Sequence, residues 1–144
     1  MPEAITSFSG EYRWLSNFWR AKVTYDGVTY PSVENAYQAA KTTDVMQRAQ
    51  FTVCDAPEAK RRGKELTWIR DDWESAKVGV MRKLLQQKFA PGTDLAWMLV
   101  GTVEAELVEG NEWGDRFWGV CRGVGANTLG RLLMEQREFL QFYA

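Results

Sequence analysis

A chain of 144 residues, of which 45% are hydrophobic and 26% charged, is expected to form one soluble globular domain. Its net charge of −1 excludes the general positive field by which non-specific nucleic-acid binders attract polyanions. There is no histidine, and Cys54 and Cys121 have no metal-ligand spacing around them. Structural zinc and histidine-based acid–base catalysis are therefore excluded, and no metal or cofactor is expected.

Two unclustered cysteines are typical of a reducing compartment, and no apolar run approaches the ~20 residues needed to span a bilayer. We therefore expect a cytoplasmic protein with no signal peptide and no membrane partner. Seven tryptophans are an unusual number for this length, and they point to aromatic surfaces that meet planar ligands. The oligomeric state is left open by the sequence.

The first thirty residues predict a small antiparallel sheet. Residues 5–20 carry five aromatics with no clean period, which predicts a strand followed by an irregular loop. Residues 21–30 (AKVTYDGVTY) then alternate around Asp26-Gly27, a pair that tolerates positive φ at both positions. This segment predicts a hairpin with a two-residue turn.

The rest of the chain is predicted to be mostly helical. Helix starts are marked by capping residues and by proline in the first turn, and helix ends by glycine and proline. The predicted elements are helices over 32–41, 44–53, 55–66, 71–89, 94–100 and 128–142, a strand over 102–108, and a strand or strand edge over 115–119.

The helix over 32–41 (SVENAYQAAK) begins after Pro31, with Ser32 as its N-cap. At about 100° per residue, Glu34, Gln38 and Lys41 share one face, flanked by small alanines that leave room for a ligand. An amphipathic helix with this face in water is the plainer interpretation.

A second group of functional candidates precedes the last predicted helix. Glycines at 119, 123 and 125 lead to Asn127, a good N-cap for the helix over 128–142. A glycine-rich loop that feeds a helix N-terminus is a natural anion site, because free amides and the helix dipole converge there. We expect the 119–127 loop to receive phosphate, although such loops are commonly only turns.

Without histidine, the catalytic groups available are carboxylates, lysine and aromatics. A pair of carboxylates with an aromatic suits cleavage of a glycosidic bond, because negative charge stabilises an oxocarbenium-like transition state. An aromatic face holds a departing base by stacking, worth ~1–3 kcal/mol per base. A lysine could instead attack the opened sugar and form a Schiff base. Composition does not choose among these.

Five motifs in register resemble the NADAR N-glycosidase family, which is named for its association with NAD and ADP-ribose. The matching residues extend from about 8 to 140, and the motifs are YRWLSNF (12–18), SVENAYQAAK (32–41), DWESAKVGVM (72–81), DRFWG (115–119) and NTLGRLLMEQR (127–137). The family includes enzymes that split riboflavin-pathway intermediates and others that remove ADP-ribose from guanine bases. Departures from the family pattern are peripheral, such as Trp113-Gly114 immediately before Asp115.

The resemblance implies roles for four residues. Glu34 corresponds to the family's catalytic glutamate, Trp73 to its functional tryptophan and Asp115 to the aspartate of its D-x-x-W-G motif. Lys41 corresponds to the lysine that the family is thought to use as a Schiff-base nucleophile in ADP-ribose removal.

Each of these roles has a structural alternative. Glu34 in a first turn can be a dipole partner, Lys41 an ion-pair partner of Glu34, Trp73 a core residue and Asp115 a turn residue. Glu112 is near enough to Asp115 in the sequence to be a rival for its site role. Further expected substrate contacts are Arg13, Asn17, Gln38, Trp118, Gly119 and Asn127. Arg13 is equally well explained as a structural arginine stacked on aromatics.

Together these features predict a single α+β, helix-rich domain with a small antiparallel sheet. The expected activity is hydrolysis of the N-glycosidic bond between a base and a phosphorylated or ADP-linked ribose. The expected substrate is a riboflavin-pathway ribosylamino-pyrimidine phosphate or ADP-ribosylated guanine in nucleic acid. Direct attack by water and a Lys41 Schiff base are both open mechanisms. The alternatives are a non-catalytic ADP-ribose reader and, less favoured at this pI, a nucleic-acid-binding module.

Overall fold

The computed structural model describes residues 2–143. The chain divides into two compact units. We call Asn17–Lys88 the central unit, and the segments Met1–Ser16 and Phe89–Ala144 together the terminal unit. That the chain acts as one domain stays a prediction.

The central unit begins with the predicted hairpin, formed by β1 (Arg20–Tyr25) and β2 (Val28–Ser32). The strands pair antiparallel, and Asp26 and Gly27 form the turn with φ of 48° and 79°. The helices of this unit are α1 (Val33–Ala40), α2 (Val45–Ala49), α3 (Ala56–Lys64) and α4 (Trp73–Lys88), with a 3-10 turn at Gln50–Thr52. The sequence predicts all four helices, with ends that differ by one to four residues.

Helix α1 is the element around which the central unit packs, since it contacts α3, α4 and both strands of the hairpin. Its alanines, at 36, 39 and 40, are completely buried and let these neighbours approach closely. The hairpin and α4 supply the larger side chains of the surrounding core, which include Val23, Tyr30, Met81, Leu84 and Leu85.

The terminal unit is built on the last helix. Its elements are a 3-10 helix (Gly10–Leu15), α5 (Asp94–Val100), the two-residue strands β3 (Gly110–Asn111) and β4 (Val120–Cys121), and α6 (Thr128–Tyr143). Strands β3 and β4 pair in parallel. Helix α5 packs on α6, whose buried leucines at 129, 132, 133 and 140 form its core face.

The strands predicted within residues 5–20 and over 102–108 are not formed. Residues 5–20 hold an isolated bridge at Ile5 and then the 3-10 helix, which begins at Gly10 with φ of 58°. The 102–108 segment contains a turn, because Val103 adopts φ of 57°, and its only bridge within the described residues joins Leu107 to Ile5. The alternation of apolar residues there reflects the burial of Ala105 and Leu107 rather than a strand.

The fold class is the predicted one, a helix-rich α+β protein with a small antiparallel sheet. Among residues 2–143, none of the helices has the length and apolar character that crossing a membrane requires.

Candidate functional site

Helix α1 carries its polar side chains inside the central unit rather than in water, so the plainer amphipathic interpretation is wrong. All eight of its residues are buried. Its start is held by Ser32, whose Oγ accepts from the Asn35 N–H at 3.1 Å and donates to Asn35 Oδ1 at 2.6 Å. Asn35 Nδ2 also donates to the Phe51 and Cys54 carbonyls. These bonds fix the rotation of α1 and therefore the direction of its polar face.

Glu34 lies in the first turn of α1 with only 8% of its surface exposed. Its backbone N–H donates to the Asn17 carbonyl at 3.1 Å, and its Oε2 accepts from Gln38 Nε2 at 2.6 Å. A buried carboxylate needs such donors, because burial removes the water that would otherwise solvate it. The helix spacing of four residues places Gln38 on the predicted face with Glu34, where the two side chains pair.

Two residues that bond to Glu34 each carry a buried carboxamide oxygen with no hydrogen-bond partner among residues 2–143. These oxygens are Oε1 of Gln38 and Oδ1 of Asn17, whose Nδ2 lies 3.6 Å from Met81 Sδ. Buried acceptors are normally satisfied, and exceptions often mark functional positions. The Gln38 amide that donates to Glu34 therefore also carries a buried acceptor that no described residue satisfies.

Lys41, Tyr37 and Trp73 form one cluster at the other end of α1. The Lys41 Nζ lies 5.7 Å from the centroid of the Tyr37 ring. The centroids of the Tyr37 and Trp73 rings are 5.1 Å apart, and the two ring planes meet at 54°. Trp73, the first residue of α4, is 7% exposed. Tyr37 therefore contacts both Lys41 and Trp73. Tyr37 is four residues before Lys41, so helix spacing alone could have identified it as a neighbour of the site.

Lys41 is half-buried, and burial is the main cause that lowers the pKa of its ammonium group below 10.5. The charges of Lys64 and Lys77 lower it further, whereas the Glu34 carboxylate acts in the opposite direction. Lys77 is one turn along α4 from Trp73, and its Nζ pairs with Glu74 Oε2 at 2.7 Å. A lysine with a lowered pKa supplies more of the neutral amine, which is the nucleophilic form.

A cavity of about 510 Å³ opens just beyond the C-terminal end of α1. The Arg70 N–H donates to the Lys41 carbonyl at 2.8 Å and so ties one wall of this cavity to the end of the helix. Trp68 on the same wall is 80% exposed. The cavity is lined by Thr42, Thr43, Asp44, Trp68, Ile69, Arg70 and Asp71.

In the terminal unit, Asp115 organises a turn. Its Oδ1 accepts from the N–H groups of Phe117 at 3.1 Å and Trp118 at 2.9 Å, an arrangement typical of aspartate in turns. Asn111 holds Asp115 from the other side, accepting from its N–H and donating to its carbonyl. The strand predicted over 115–119 is therefore wrong, because the Asp115 side chain bends the chain there. A catalytic role for Asp115 stays a prediction.

Asn127 does not act as the predicted N-cap through its side chain. Its Oδ1 accepts from the Glu109 N–H at 3.0 Å, and its Nδ2 donates to the Leu107 carbonyl at 2.9 Å. Asn127 has φ of 54°, which asparagine tolerates better than most residues. The side chain ties the start of α6 to the 107–109 segment, and contact with substrate stays a prediction.

The amides at the end of the 119–127 loop and at the start of α6 are hydrogen-bonded within the fold. The N–H groups of residues 126–129 donate to the carbonyls of Arg116, Gly119, Phe117 and Trp118 at 2.8–3.2 Å. Gly119 is packed so closely that a Cβ there would overlap Glu109 and lie 2.7 Å from Asn111 Nδ2. The first amides of α6 are therefore satisfied by the loop itself. Binding of phosphate by the 119–127 loop stays a prediction.

Two further predicted contacts lie in the terminal unit. Trp118 is half-buried and stacks edge-on with Phe117 at 4.9 Å. Arg13 is exposed, and its Nη1 donates to the Gly10 carbonyl at 2.9 Å, so it also has a local structural role. In the central unit, Asn17 and Gln38 bond to Glu34 near the start of α1, and Lys41 and Trp73 lie with Tyr37 at its other end. In the terminal unit, a loop-centred group contains Asp115, Trp118, Gly119 and Asn127.

Metal ligands are not clustered in the described part of the chain. No group of three or more His, Cys, Asp or Glu residues there is placed to hold a metal ion. The reactive groups on α1 and at its C-terminal end are the Glu34 carboxylate and the Lys41 amine, and Tyr37 and Trp73 provide aromatic surfaces beside them.

Comparison with known proteins places this chain in a family. The family model described as the NADAR domain matches residues 6–141 and so spans both units. The chain belongs to the NADAR domain family, as the five motifs predict.

Similar proteins are known from bacteria. The chain is 39% identical over 146 residues to N-glycosidase YbiA of Escherichia coli, covering 97% of this chain and 91% of that protein. It is 41% identical over 134 residues to a riboflavin biosynthesis protein of Vibrio vulnificus, of which it spans 36% of the length. The NMR structure of E. coli YbiA superposes with a TM-score of 0.85 at 38% identity, covering 98% of this chain and 86% of that one.

Proposed function

We propose that this protein is an N-glycosidase that cleaves the bond between a nucleobase-like ring and the C1′ carbon of a phosphorylated ribose. The observation that carries the proposal is the buried polar face of α1. Glu34 is fixed there by Gln38 at 2.6 Å, and the half-buried Lys41 is on the same helix. The names of the relatives, an N-glycosidase and a riboflavin biosynthesis protein, support the reaction class and favour riboflavin-pathway ribosylamino-pyrimidine phosphates as substrates.

Glu34 stabilises positive charge on the sugar as the bond to the base breaks. The transition state is oxocarbenium-like, and a carboxylate fixed beforehand costs no reorganisation during the reaction. The base leaves with the bonding electron pair and takes up a proton. Trp73 and Tyr37 offer the aromatic surfaces that shape the site for the base.

Lys41 is the proposed nucleophile. Its neutral amine attacks C1′, opening of the sugar ring gives an imine, and water then hydrolyses the imine to release the ribose and regenerate the amine. One water molecule is consumed for each bond cleaved. The lowered pKa of Lys41 supports this route over direct attack by water, because it increases the fraction of neutral amine.

A panel assay of base release by chromatography tests the proposal. The panel contains ribosylamino-pyrimidine phosphates, ADP-ribosyl-guanosine and NAD, incubated with wild type, Glu34→Gln and Glu65→Gln. Glu65 is an exposed glutamate paired with Arg61 on the surface and serves as the matched control. We expect release from at least one substrate by wild type and Glu65→Gln, and none above background by Glu34→Gln.

Two outcomes would overturn the proposal. Absence of release from every compound by wild type would contradict an N-glycosidase. Binding of ADP-ribose without turnover would instead identify a non-catalytic reader.

A further inference from the structure

Gly63 is the second-last residue of α3, and glycine loses more backbone freedom than alanine when it becomes helical. It is buried. It is also helical, so a left-handed conformation does not account for it. The reason for a glycine at this position therefore has to be sought in its neighbours.

The neighbour is the side chain of Gln38. A Cβ built on Gly63 would overlap Gln38 Oε1 and would lie 2.5 Å from Gln38 Cδ and 3.1 Å from Gln38 Cγ. Real side-chain contacts are longer than this, so any residue other than glycine must displace the carboxamide. Because Gln38 is flexible, the displacement is inexpensive for the fold but changes where the amide points.

The Gln38 amide has two polar ends, and only one of them is hydrogen-bonded. Its Nε2 donates to Glu34 Oε2 at 2.6 Å, whereas its Oε1 is buried, has no partner among the described residues and faces Gly63. The orientation of the amide therefore depends on its bond to Glu34 and on the space above Gly63.

We infer that Gly63 is a positioning residue for Glu34. By having no side chain, it lets the Gln38 amide lie where it donates to the Glu34 carboxylate and holds that group in one orientation. This inference rests on the proposed function for its catalytic consequence, but the contact itself is testable without activity.

The variant Gly63→Ala tests the inference, and Gly79→Ala is its matched control. Gly79 is also within a helix, α4, and a Cβ there would have no atom within 4 Å. Both variants gain helix propensity. We expect Gly63→Ala to lower kcat by about 10²-fold with little change in KM, since misplacement of a group by about 1 Å has such an effect. Gly79→Ala is expected to retain wild-type kcat.

A second comparison separates positioning from a general structural effect. In the Gln38→Ala background the amide is absent, so adding Gly63→Ala is expected to cause no further loss of kcat. If Gly63→Ala alone fails to fold, the double variant is expected to regain a cooperative thermal transition, because the added methyl group then has room. An equal loss of kcat in both backgrounds, or no recovery of folding, would overturn the inference.

The side-chain amide resonances of Gln38 in ¹⁵N NMR spectra provide a readout that does not depend on turnover. They are assigned by their loss in Gln38→Ala. We expect them to shift in Gly63→Ala and to remain in place in Gly79→Ala. Unchanged Gln38 resonances in Gly63→Ala would overturn the inference, whereas failure of wild type in the base-release panel would overturn only the proposed function.

Discussion

On the polar face of α1 in the central unit, the Glu34 and Gln38 side chains bond to each other, whereas in the 109–127 segment of the terminal unit polar side chains bond mainly to the backbone. Gln38 donates to Glu34 within one helix. Asp115 and Asn127 instead accept from or donate to main-chain groups of the loop. The helix already satisfies its own backbone, so its polar side chains remain available for chemistry. An irregular loop lacks these regular backbone hydrogen bonds, so its polar side chains bond to the main-chain groups instead.

Substitution of Lys41 is expected to have the largest effect on activity. Lys41→Arg keeps the positive charge but removes the neutral amine, because arginine stays protonated. We expect kcat to fall by about 10³-fold or more, as for other lost nucleophiles. Lys83→Arg, at an exposed lysine of α4, is the control and is expected to retain activity. Substantial activity in Lys41→Arg would favour direct attack by water.

Substitution of Asp115 tests the loop side of the comparison. Asp115→Asn keeps an Oδ1 acceptor for the Phe117 and Trp118 N–H groups but removes the charge. If the role implied by the family resemblance is correct, kcat falls by about 10²-fold while the melting temperature is retained. Asp115→Ala should also lower the free energy of unfolding by about 1–2 kcal/mol, because the turn loses its acceptor. Turnover by Asp115→Asn at the wild-type rate would exclude a catalytic role for the Asp115 charge and leave only its role in holding the turn.

The charge environment of Lys41 predicts a shift in its titration. Burial lowers the pKa of Lys41, Lys64 and Lys77 lower it further, and Glu34 opposes them. Lys77→Met removes one repelling charge, so the protonated form of Lys41 is stabilised and its pKa rises. The pH at which Lys41 reacts with a pulse of acetic anhydride, followed by peptide mass spectrometry, should therefore move upward. Lys83→Met serves as the control, and an unchanged Lys41 profile in Lys77→Met would show that Lys77 does not act on it.

Asn127→Ala is expected to have the smallest effect on catalysis. It removes the bonds to the Glu109 N–H and the Leu107 carbonyl, so urea unfolding should show a loss of about 1–3 kcal/mol. The KM of the folded variant should stay close to wild type if the side chain is only structural. A KM raised severalfold with stability unchanged would instead support the predicted substrate contact.

Regular elements with strong local signals were predictable from the sequence. The Asp26-Gly27 turn, the Ser32 cap and the Pro57 helix start each depend on interactions within a few residues. That Glu34 and Gln38 share one face of α1 likewise follows from helix spacing.

The missed features depend on contacts between distant parts of the chain. Gly63 of α3 packs against Gln38 of α1. The first N–H groups of α6 find acceptors only because the carbonyls of residues 116–119 fold back onto them. Burial of the α1 face also depends on α3, α4 and the hairpin, so periodicity alone shows that the polar residues share a face but not that the face is enclosed.

Reductive trapping at Lys41 tests most directly whether the α1 face carries the chemistry. Wild type, Lys41→Arg and Glu34→Gln are incubated briefly with ADP-ribose or ribose 5-phosphate and cyanoborohydride, and the adduct on each lysine is measured by peptide mass spectrometry. The open-chain aldehyde condenses with an amine, water leaves, and reduction fixes the imine. We expect adduct on Lys41 of wild type well above that on exposed Lys83. Labelling of Lys41 no greater than that of Lys83 would contradict Lys41 as the nucleophile.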